Sequence, residues 1–84
     1  MELFNIERLI VAARKGKTAD GKVTIASSDL RAAAAKLGGY APPMSKRTAS
    51  ELRRLGGERV ANGHSGARYA FDPASIAAIE SQYQ

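Results

Sequence analysis

Residues 44–72 read MSKRTASELRRLGGERVANGHSGARYAFD, from Met44 to Asp72, and their apolar period changes part-way along. On a helix turning about 100° per residue, Thr48, Ala49, Leu52 and Leu55 share an arc of roughly 120°. Lys46, Arg47, Ser50, Glu51, Arg53 and Arg54 occupy the rest. The spacing predicts a helix over 46–55 that docks on a small core and offers four cations outward. Ser45 stands where a hydroxyl would cap it. Lys46 and Arg47 in its first turn lie against the positive end of the helix dipole, which is unfavourable unless an anion sits there. Beyond Gly56-Gly57 the pattern alternates. Val60, Tyr69 and Phe71 are the apolar members, and Arg59 and Arg68 flank the connection Asn62-Gly63-His64-Ser65-Gly66. Asn-Gly between such runs signals a turn, so a hairpin over 58–71 with its tip at 62–66 is expected.

Upstream, Leu3, Ile6, Ile10 and Ala13 recur at three and four, widened by Phe4, Leu9 and Val11, and predict a helix over 2–15. Arg14 and Lys15 would fall in its last turn, with Gly16 closing it. Its polar side mixes Glu2, Glu7 and Arg8, which argues against a membrane-surface helix. Lys17 to Lys22 is a polar turn with an Asp-Gly step. Val23-Thr24-Ile25-Ala26 is β-branched and alternating, hence a strand over 23–26. Ser27 or Ser28 is placed to cap a helix over 28–37, with Leu30, Ala33, Ala34 and Leu37 as its buried stripe and Gly38 as its stop. Gly39 to Pro43 is a linker, because the two prolines remove donors and extend the residues before them. Asp72-Pro73 reads as a cap and first helical residue, opening a helix over 73–83 with Ile76, Ile79 and Tyr83 as its stripe.

Eighty-four residues allow one domain with a modest core, and a large catalytic cleft is not expected. Hydrophobic residues at 44% and charged residues at 25% are ordinary for a folded domain. Formal net charge is +5, a surplus that favours polyanions. The surplus is local: 45–71 holds six Lys or Arg against two Glu, whereas the last dozen residues hold one Glu and no base. There is no cysteine, so neither a disulfide framework nor a thiolate metal site is available, and a reducing compartment, the cytoplasm, is expected. No leader pattern and no membrane-length apolar run is apparent.

Residues able to do chemistry are sparse. Gly16-Lys17-Thr18 matches only the end of a phosphate-binding loop, since position 11 is Val11 where that pattern needs glycine. The single histidine, His64, lies in a glycine-flanked turn, and the carboxylates are scattered. No catalytic residue, cofactor or metal is expected. Nucleic acid fits better. Arg47, Ser50 and Arg54 stand at spacings of three and four and could enter one major groove together, where arginine can hold a guanine edge. Lys46, Arg53, Arg59 and Arg68 suit phosphates, which position without specifying. Ser45, Thr48, Asn62, His64 and Ser65 complete the expected DNA-contacting set.

The order helix, strand, helix, basic helix, hairpin resembles the winged helix-turn-helix superfamily over about 2–72. More narrowly, LRAAAAKLGG, PPMSKRTASELRRLGG and GGERVANGHSGARYAF are similar to segments of the small winged-helix modules of phage and integrating-element replication primase-helicases. The resemblance implies an α+β winged helix-turn-helix domain: a three-helix core, a small antiparallel sheet with its wing, and an added C-terminal helix. It implies a sequence-specific, non-enzymatic binder of double-stranded DNA, acting by site occupancy in transcription regulation or replication. A homodimer through the C-terminal helix, or a larger replication or regulatory protein, are the expected protein partners. The alternative is a winged-helix module that docks on a larger protein complex.

Overall fold

The computed structural model describes residues 4–43, 45–63 and 66–83. They form α1 (Ile6–Ala12), β1 (Gly16–Lys17), β2 (Val23–Ala26), α2 (Ser27–Lys36), α3 (Lys46–Arg54), β3 (Glu58–Gly63), β4 (Gly66–Phe71) and α4 (Pro73–Ser81). The architecture is α+β, with an antiparallel sheet in the order β1-β2-β4-β3.

Helix α1 is shorter than the expected 2–15. Asn5 caps it, its Oδ1 accepting the Arg8 N–H at 2.8 Å, and it ends where Ala13 turns to extended backbone. Glu2 and Leu3 lie outside the described residues. Gly16 therefore does not close the helix. It opens β1 instead and pairs with Thr24, whose Oγ1 would stand 2.6 Å from a Cβ at Gly16. Lys15 still serves the helix end, because its ammonium donates to the carbonyls of Val11 at 3.1 Å and Ala13 at 3.0 Å. The turn 18–22 closes a hairpin onto β2: the Thr18 N–H donates to the Lys22 carbonyl at 2.9 Å, and the Lys22 N–H to Thr18 Oγ1 at 2.9 Å.

No loop separates β2 from α2. The expected serine cap is replaced by Ala26, which has no side-chain acceptor; Asp29 reaches back from the first turn to take the Ala26 N–H at 3.0 Å. Ser27 instead starts the helix and is buried. Gly38, at φ +85, ends α2 as expected.

Strand register divides the sheet into two faces. Val23↔Phe71 and Ile25↔Tyr69 belong to the core side, whereas Thr24↔Ala70 and Ala26↔Arg68 belong to the other. Helices α1, α2 and α4 close the core over Ile25, Tyr69 and Phe71. Buried Ala33 and Ala34 allow α2 close to its neighbours.

Helix α4 starts at Pro73, but the Asp72 carboxylate makes no capping bond. Its backbone carbonyl accepts from Ser75 at 3.0 Å and Ile76 at 3.2 Å, and the fixed φ of proline supplies the rest. Ile76 and Ile79 are buried against this chain's own core, with 4% and 5% of their surface exposed. The stripe expected to serve a homodimer is thus spent internally. Tyr83 is partly exposed, and its hydroxyl donates to Asn5 Oδ1 at 3.4 Å.

Helix α3 is held at both ends. Ser45 Oγ accepts the Thr48 N–H at 3.3 Å, and the buried Thr48 hydroxyl donates to the Pro43 carbonyl at 2.8 Å. Leu52 is fully buried and Leu55 partly so. After the helix, Gly56 takes φ +103 and the Gly57 N–H returns to the Leu52 carbonyl at 2.9 Å. A Cβ on Gly57 would meet the Phe71 ring at 2.7 Å and the Leu52 carbonyl at 2.9 Å. Gly57→Ala is therefore expected to destabilise the fold by about 1–3 kcal/mol through overpacking. Urea denaturation checks this; an unchanged midpoint would mean that the ring moves aside freely.

Candidate nucleic-acid interface

The cations of α3 are all exposed: Lys46, Arg47, Arg53 and Arg54. Helical spacing sorts them into two rows. Lys46, Ser50 and Arg53 make one, in which Arg53 Nη2 donates to Ser50 Oγ at 3.3 Å. Arg47, Glu51 and Arg54 make the other. There Arg54 Nε donates to Glu51 Oε2 at 3.1 Å while its Nη2 engages Oε1, a forked contact on one carboxylate. Arg47 and Glu51 also line a shallow depression beside Phe4, Asn5, Pro42 and Pro43. Of the trio Arg47, Ser50 and Arg54, Ser50 accepts from Arg53 and Arg54 donates to Glu51.

Electrostatics follow from the fork. The Arg54 hydrogen bonds hold the Glu51 carboxyl below its ordinary value, outweighing the opposing effect of desolvation, and the Arg54 and Arg47 charges add smaller contributions in the same direction. The Arg54 guanidinium is raised, chiefly by hydrogen bonding to Glu51, with a small contribution from Glu7. Thr48 belongs to the inward arc, because its hydroxyl is used on Pro43 and its surface is buried. Ser45 is spent as the helix cap.

The hairpin residues do not all join α3. Arg59 and Arg68 are both exposed, but Arg68 pairs with Ala26 on the sheet face away from the core. There it lines a polar concavity with Arg14, Lys17, Thr24 and Asp29. Arg59 stands opposite Tyr69, just before an irregularity in β3. Asn62 pairs with Ala67 next to the tip. His64 and Ser65 lie outside the described residues. Arg14 and Lys17 are the cations that sequence reasoning passed over, one assigned to a helix end and the other to a turn. The signal that could have found them is the two-residue antiparallel match of Gly16-Lys17 to Val23-Thr24.

Among the described residues no group of three His, Asp or Glu side chains could hold a metal, and no helix is long and apolar enough to cross a membrane. Comparison with protein families, with characterised proteins and with solved structures found no match.

A carboxyl whose folded pKa is depressed adds stability above its unfolded pKa and loses it as pH falls through the lowered folded value. Carboxyl NMR titration should therefore place the Glu51 midpoint below 4.5, the ordinary value. Arg54→Ala should return it most of the way and Arg47→Ala less, following the order of causes. A midpoint indifferent to Arg54→Ala would contradict the fork.

Proposed function

We propose that this chain is a winged helix-turn-helix domain that binds double-stranded DNA through the exposed face of α3, with the β3–β4 hairpin as its wing. The observation that carries the reading is the anchored basic helix. Leu52 and Thr48 fix one side of α3 in the core while Lys46, Arg47, Arg53 and Arg54 stand in solvent on the others. An α-helix of this size fits the major groove, and cations around its first turn are paired favourably only when an anion approaches. The strand before α2 lies beside β4, so the hairpin extends from the same sheet and follows α3 directly in the chain. That arrangement supports the winged-helix assignment.

In this reading Lys46 and Arg53, with Arg59 from the hairpin, meet phosphates. Arg47 is the base-reading candidate in the first turn. Arg54 joins only where a phosphate or guanine edge displaces Glu51. The mechanism is occupancy of a site in cytoplasmic DNA, for transcription control or replication, with no bond made or broken. A second reading, a protein-docking module, is favoured by one feature: an apolar hollow of about 690 Å³ between α2 and the linker, lined by Ile6, Leu30, Ala34, Tyr40 and Pro42.

Salt separates them. DNA affinity should fall with ionic strength along a log-log slope of about −0.9 per phosphate neutralised. The double variant Lys46→Ala with Arg53→Ala should flatten that slope by roughly 1.8, two contacts' worth. Fluorescence anisotropy on a labelled duplex checks both. No binding at low salt, or a double variant with the parent's slope, would exclude α3 as the DNA-binding element.

A further inference from the structure

Arg14, Lys17 and Arg68 come from three places in the chain: the segment after α1, strand β1 and strand β4. They meet around a concavity of about 360 Å³ whose remaining walls are Gly16, Thr24, Ala26 and Asp29. That space is many times the roughly 30 Å³ share of one water molecule, enough for a tetrahedral anion with its hydration. All three cations are exposed, and none forms an ion pair with a described residue. Other cations nearby in the chain are already engaged, Lys15 by the carbonyls at the end of α1 and Lys22 by Glu58 at 3.7 Å.

The one acid in the wall does not cancel this charge. Asp29 Oδ2 is turned back to accept the Ala26 N–H at 3.0 Å, leaving three positive groups against one negative. The same wall carries the start of α2. Its cap position holds Ala26, which has no side-chain acceptor for the first-turn N–H groups, and the positive end of a ten-residue helix adds to the field. The Thr24 hydroxyl supplies a further neutral donor.

We propose that this concavity is a binding pocket for one phosphate group. Two arginines, a lysine and a threonine line it from different elements, a set that matches an anion with several acceptor oxygens and more than one charge better than it matches a single carboxylate. The phosphate of a nucleic-acid backbone and that of a free phosphorylated molecule present the same chemistry here. None of the α3 cations lines the pocket, so the inference does not depend on α3 binding DNA.

The test is a ¹⁵N–¹H NMR titration of the full chain with inorganic phosphate at ionic strength held constant with chloride. Saturating shifts are expected at the amides of Gly16, Lys17, Thr24 and Asp29, and none with chloride alone. A Lys17→Gln, Arg68→Gln double variant should weaken phosphate at least about tenfold, since each charge-assisted hydrogen bond lost is worth a factor of that order. Its spectrum elsewhere should match the parent, showing that it folds. In a second arm a short DNA duplex replaces phosphate. Pocket amides that move with the duplex, and move back with competing phosphate, identify the backbone as the source. A duplex that moves only α3 amides while phosphate still saturates the pocket identifies a phosphorylated small molecule. Pocket amides that respond to neither ligand, or a variant with the parent's affinity, overturn the proposal. The amides of 46–54 report separately on the DNA reading of α3.

Discussion

The Phe71 ring lies against the backbone of Gly57, and the presentation of α3 follows from that contact. Phe71 is wholly buried, and Leu52, one turn inside the helix, is 1% exposed. Burial of two such side chains is worth roughly 1.5–3 kcal/mol each. The N–H of Gly57 closes back on the carbonyl of Leu52, so helix, turn and strand meet at a point where a β-carbon has no room. The far end of the helix is tied through Thr48 to the Pro43 carbonyl. Between these two anchors α3 cannot roll, and its charged side faces water because its other side is already in use. A helix with four cations and little apolar surface would not stay folded alone, since short isolated helices are marginal in water.

The same economy runs through the rest of the core. With no cysteine to cross-link so short a chain, stability rests on packing. Alanines at 33 and 34 bring α2 close, and α4 returns across α1 to bury Ile76 and Ile79. This use of α4 explains why an apolar stripe near a chain end need not indicate a partner. In a domain of this size, a terminal helix covers core that the sheet and three helices leave open.

What could be seen in the sequence was whatever had a period long enough to repeat. The arc Thr48, Leu52 and Leu55, the strand 23–26 and the hairpin all carry such signals, and the stop at Gly38 was marked by residue type alone. The limits of α1 carried no such signal, because Asn5 caps through one oxygen and Ala13 turns to extended backbone with no glycine or proline there to mark the end. Strand β1 has two residues and no alternation to detect. The cap of α2 was misplaced because a strand runs directly into the helix, so Ala26 had to serve both, and Asp29 makes only the reciprocal bond, accepting the Ala26 N–H. Asp72 holds the cap position of α4 as expected, but through its backbone carbonyl and the proline after it rather than through its carboxylate. In the candidate site, residue type identified the exposed cations of α3. Which of them were already committed to Glu51 or Ser50 depended on side-chain geometry that spacing does not carry.

Net charge alone therefore misdescribes what this surface can offer. Of the thirteen Lys and Arg residues, several are occupied within the fold: Lys15 on helix carbonyls, Lys22 with Glu58, Arg54 on Glu51, and Arg8 over the Phe4 ring at 5.7 Å. Arg53 is steadied by Ser50 but keeps its charge unpaired among the described residues. Six other cations fall into two groups by position. Lys46, Arg47 and Arg53 lie on the helix packed to the core side of the sheet, and Arg14, Lys17 and Arg68 line the hollow on its other face. Strand alternation enforces the separation at Arg68: Tyr69 and Phe71 face inward, so Arg68, one position before Tyr69, faces out. A partner that reaches both groups has to pass around the edge of the sheet, whereas two separate anionic ligands need no such path.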